Sequence, residues 1–70
     1  MIENMTRRRR QVIVGIAWGK SNKEIANALF LARSTVEKHR FALREQYQLN
    51  NTADITRFAF KHGLIKLEEL

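Results

Sequence analysis

A chain of 70 residues with no cysteine and no proline cannot rest on disulfides or a Cys-rich zinc site, so it needs good helix packing or a partner chain. Only three glycines join the absent prolines, which favours helices over strands and tight turns, and length alone predicts a single domain. The net charge is +6 and uneven: residues 7–44 hold ten Lys/Arg against two acids, so a polyanion is the natural partner of that stretch.

The first predicted helix spans about 7–18. Thr6 is a candidate N-cap and Gly19 a C-terminal stop, while Val12, Ile13, Ile16 and Ala17 form one apolar stripe. The segment "RRRRQVIVGIAW" has the outline of a secretory leader, but Gly15 interrupts its apolar run and no small-residue cleavage pattern follows. No run is long enough to span a membrane. Four cations at a helix N-terminus oppose the helix dipole, which raises the question of what Arg7 to Arg10 face: solvent, DNA backbone or an acidic partner. Val14 and Trp18 lie one turn apart and off the core stripe, as a cover for the core or a patch for a protein partner.

A second helix is expected over about 22–29, opened by "SNKE" as a capping box, with Ile25, Ala26 and Leu29 inward. The third, about 33–47, places Val36, Leu43 and Tyr47 along one line and Ser34, Glu37, Lys38, Phe41, Arg44 and Glu45 on the far side. The fourth, about 52–62, is capped by Asn51 with Asp54 three residues on and stopped by Gly63. Its inner stripe is Ile55, Phe58, Ala59 and His62, with Ala53, Thr56 and Phe60 opposite. Leu64 and Ile65 are expected to pack back on the core.

The second and third helices have the lengths and spacing of a helix-turn-helix. Apolar residues fall at Ile25, Leu29, Leu31 and Val36, and the small Ala26 sits where two helices would cross. The stretches "MT", "RQVI", "GKSNKEIANALFLARSTVEKHR" and "NNTADITRFAFKHGLI" resemble the LuxR/FixJ-type helix-turn-helix of bacterial transcription regulators, from Met5 to Ile65. That resemblance implies an all-α, four-helix LuxR-type domain standing alone, DNA recognition through the third helix and dimerisation through the fourth. It implies a cytoplasmic, nucleoid-associated bacterial protein. It also accounts for His39, which is polar where a generic helix-turn-helix is apolar.

Departures from the family pattern are informative. Arg9 replaces a Glu, so the capping box opened by Thr6 is lost; Arg7 stands for a Pro; Ala32 replaces the Ser that would cap the third helix; Gln46 replaces a Lys. By resemblance, Glu37, Lys38 and Phe41 occupy the base-reading positions. Lys38 can donate to guanine, Glu37 can accept from cytosine, and Phe41 can pack on a thymine methyl, each good contact contributing about 1–3 kcal/mol of discrimination. Asn22 and Lys23 at the start of the second helix, with Thr35, Arg40 and Arg44 beside the reading face, are the phosphate candidates. On the wheel Arg40 lies nearer the core than Arg44.

His39 and His62 have no ligand cluster around them, and the chain shows neither a nucleophile–base–orienter set nor a glycine-rich phosphate loop. Neither enzyme activity nor a cofactor or metal is expected. The leading expectation is a regulator that binds specific double-stranded DNA as a homodimer through Ala53, Thr56 and Phe60. The alternative is an interaction module that binds RNA polymerase or another regulator. A membrane-binding basic peptide is disfavoured by the matched, capped helices.

Overall fold

The computed structural model describes residues 5–66. These residues form four helices: α1 (Arg7–Ala17), α2 (Asn22–Leu29), α3 (Arg33–Tyr47) and α4 (Thr52–Lys61). The ends differ from expectation at two places only, where Trp18 and His62 cap α1 and α4 instead of extending them.

Local chemistry starts three of the helices. Thr6 accepts from the Arg9 amide at 3.1 Å, and Asn51 Oδ1 accepts from the Asp54 amide at 2.9 Å. Ser21 and Glu24 complete the reciprocal box at 3.1 and 2.8 Å. The fourth start is bare: Ala32 holds the extended backbone of an N-cap with no side-chain bond to α3.

All four helices stop in the same way. A residue in the left-handed region ends each one, and the next amide reaches back five residues: Lys20 to Gly15, Leu31 to Ala26, Leu49 to Arg44, Leu64 to Ala59. Gly19 and Gly63 provide two of these turns; Phe30 and Gln48, both at φ 56°, provide the others. Leu31, Leu49 and Leu64 then fold onto the core, so the stops of α2, α3 and α4 also anchor the following segment.

One buried cluster joins the helices. Val12, Ile13 and Ile16 come from α1, Ile25 and Ala26 from α2, Val36 and Leu43 from α3, and Ile55, Phe58 and Ala59 from α4, closed by Ile65. Full burial of each large aliphatic contributes about 1.5–3 kcal/mol, which holds α3 against α1 and α2 and turns its opposite face outward. Gly15 permits the α1–α2 approach, because a Cβ there would stand 2.8 Å from Ile25 Cγ1.

Two assignments on α4 need correction. His62 is exposed as the C-cap of α4, its ring tilted against Phe58 with centroids 4.4 Å apart. Phe60, expected to face outward, is half-buried and rests against the core cluster.

Candidate nucleic-acid interface

The outer face of α3 is built as its periodicity requires. Ser34, Glu37, Lys38, Phe41, Arg44 and Glu45 are all exposed, while Val36 and Leu43 are fully buried on the other side. Phe41 keeps 66% of its surface open, an apolar ring among charges. Glu37 lies 3.6 Å from Arg33 one turn earlier, and both side chains are solvated. An exposed pair with the base N-terminal to the acid is weak, so Glu37 stays free to re-pair.

Basic residues flank this face. Arg40 is half-buried and bridges two helix N-termini, donating to Asn22 Oδ1 at 3.1 Å and to Thr52 Oγ1 at 2.8 Å. Burial first, and then the nearby Arg44, lower its pKa, yet a guanidinium stays charged at any ordinary pH. The result is a fixed cation between the positive ends of α2 and α4, with N–H donors left over. Arg44 donates to the Asn50 carbonyl at 2.6 Å, which aims it along the α3–α4 connection. Lys23 is exposed, Asn22 and Thr35 half-buried. The five phosphate candidates thus lie on α2 and α3, and two of them, Asn22 and Arg40, are joined by a hydrogen bond.

The four N-terminal arginines divide. Arg8 donates to the Leu29 carbonyl at 3.4 Å, placing a cation at the negative end of α2. Arg9 donates to Gln46 Oε1 at 2.9 Å, so two of the four departures from the family pattern face one another and tie α1 to the end of α3. Arg7 and Arg10 instead rim a groove of about 710 Å³ between α1 and α2, where half-buried Val14 and the 41%-exposed Trp18 lie. On α4, Ala53 is exposed and Thr56 half-buried, its hydroxyl donating to the Thr52 carbonyl at 3.1 Å.

Phe30 escaped notice in the sequence and is 95% exposed. A signal existed: Leu29 and Leu31 both belong inside, so the residue between them must point out. Among the described residues no group of three or more His, Cys, Asp or Glu could hold a metal, and no helix is long and apolar enough to cross a membrane.

Comparison with known proteins agrees with the four-helix fold. The family described as "Bacterial regulatory proteins, luxR family" matches residues 3–59. The transcriptional regulatory protein MctR of Rhizobium johnstonii is 38% identical over 61 residues, 87% of this chain and 28% of that protein. An uncharacterized transcriptional regulatory protein of Bacillus subtilis, YhcZ, is 42% identical over 60 residues, 86% of this chain and 28% of its own length. YgeK of Escherichia coli, an uncharacterized response regulatory protein, is 37% identical over 60 residues, covering 86% and 41%. The chain therefore spans well under half the length of these relatives.

Proposed function

The chain belongs to the luxR family of bacterial regulatory proteins, and on that premise we propose that it regulates transcription by binding a specific double-stranded DNA site with α3 in the major groove. The observation that carries this reading is the exposed face of α3, polar and charged apart from Phe41, held rigidly by a buried opposite face and bordered by Arg40 and Arg44. Lys38, Glu37 and Phe41 would read bases; Asn22, Lys23, Thr35, Arg40 and Arg44 would contact phosphates and set the register. The Arg40 clamp supports the phosphate assignment, since a cation between two helix N-termini favours an anion there.

A homodimer through the exposed side of α4 would match a two-fold site, with half-sites about 34–36 Å apart or at a spacing set by the dimer. Ala53, Thr56 and the half-buried rim of Phe60 would form that contact. Such a regulator needs neither enzymatic activity nor a cofactor, and it would act in the bacterial cytoplasm at the nucleoid.

Selection of bound sequences from a random duplex pool tests the reading. The wild-type chain should enrich one motif, and Lys38→Ala and Glu37→Ala should each relax preference at a single position by about 1–3 kcal/mol. Retention of DNA without any enriched motif would reduce the interaction to phosphate electrostatics and overturn base reading by α3.

A further inference from the structure

The α1–α2 groove lies apart from the DNA-facing candidates, since none of its lining residues lies on α3. Its floor and walls are apolar: Val14, Gly15 and Trp18 from α1 and its cap, Ile25, Ala28 and Leu29 from α2. Gly15 lets the Ile25 side chain pack directly against α1 at the floor, and Ala28, small and exposed, leaves the α2 wall low. Three cations, Arg7, Arg10 and Lys20, stand around it. The one acid at the rim, Glu24, is already committed, its Oε1 accepting from the Ser21 amide at 2.8 Å. Arg8 and Arg9 have intramolecular partners, whereas Arg7 and Arg10 make no side-chain hydrogen bond or ion pair among the described residues.

We infer that this groove is a docking site for an acidic amphipathic helix of a partner protein, whose apolar side chains enter beside Trp18 and Val14 and whose carboxylates meet Arg7, Arg10 and Lys20. A volume of about 710 Å³ admits several aliphatic side chains from successive turns of one helix. Charge complementarity selects the occupant. Cations bordering an apolar trough repel a basic helix and steer an acidic one. A lipid surface fits poorly, because a bilayer engages a projecting apolar face and this one is recessed.

Trp18 is the sole tryptophan, so its emission reports occupancy directly. The probe is a synthetic helical peptide with leucines at i, i+3, i+4 and i+7 and glutamates on the flanks, compared with a twin carrying lysine for glutamate. Expected is a saturable blue shift of Trp18 with the acidic peptide, at least tenfold weaker with the lysine twin. Ala28→Gln, which fills the exposed wall with a neutral side chain, should abolish the shift while circular dichroism and duplex DNA binding stay unchanged. Charge reversal by Arg7→Glu with Arg10→Glu should move preference to the lysine twin. Equal affinity for both twins, or an undiminished shift in Ala28→Gln, would overturn the inference. So would a shift produced only by phosphatidylglycerol vesicles, by raising the protein concentration, or by DNA. DNA selection and peptide titration fail independently, so loss of one leaves the other reading standing.

Discussion

Gln48 shows how a single residue can be placed against its own preference. It ends α3 at φ 56°, where an L side chain is strained, because the turn must deliver the Leu49 amide to the Arg44 carbonyl at 2.9 Å and Leu49 to the core. Glycine meets the same demand at Gly19 and Gly63. Gln48→Gly removes the steric strain at the cost of a more flexible unfolded chain, and the first effect is the larger at positive φ. We expect a gain of about 0.5–1 kcal/mol, read as a higher urea midpoint with an unchanged slope; a lowered midpoint would refute it. The two glycine stops were legible in the sequence because glycine advertises a left-handed residue. Gln48 and Phe30 carry no such mark, and only their position between helix and core determines their backbone.

At the scale of elements, the beginning of α3 is the weak point. α1, α2 and α4 have side-chain caps, and the sequence announced all three through Thr6, Ser21 and Asn51. Ala32 has the right backbone, φ −69° and ψ 146°, but no oxygen to accept an orphan amide. Ser34 does not substitute for it. Ala32→Ser supplies the acceptor at an exposed site and should add about 1 kcal/mol. For a domain of this size that is a rise of about 4–8 °C in Tm. An unchanged Tm would mean that solvent already satisfies the amides of the first turn. The helix stripes were equally readable, since core-facing residues recur every three to four positions, and α3 exposes all six residues assigned to its far side. The errors came on α4, where His62 becomes the C-cap and is exposed outside the stripe that periodicity assigned it, and where Phe60 rests against the core.

Across the whole molecule, charge and burial meet at His39. Burial, then Arg9, then Arg8 hold its pKa below the ordinary 6.5, so the folded protein favours the neutral ring. The unfolded chain takes up a proton more readily, and the stability this group contributes is complete above about pH 6.5 and is lost as pH falls through the window below it. Glu24 and Asp54 add a second, lower window: backbone bonds at Ser21 and Asn50 depress their carboxyl pKa values, so their contribution declines below the ordinary 4.5 and 3.8. Urea midpoints should therefore fall in two stages on acidification, and His39→Gln should remove the upper stage alone. An identical upper decline in that variant would assign it to another group.

Helix positions, N-terminal caps, the inner faces of α1 to α3 and the basic bias of the first two-thirds were determined by the sequence itself, because each depends on residues within about one turn of one another. The outward face of α3 followed from that local order, whereas the choice of Glu37, Lys38 and Phe41 as candidate base readers came from the family resemblance. The allocation of the arginines did not. Arg8 finds its carbonyl 21 residues away, Arg9 its amide 37 away, and Arg40 its asparagine 18 away. Those partners exist only once α1, α2 and α3 have packed. The same packing leaves Arg7 and Arg10 beside an apolar groove and turns Phe30 out into solvent. Tertiary structure decided these matters because reach between helices, unlike reach along one, is set by the shared core.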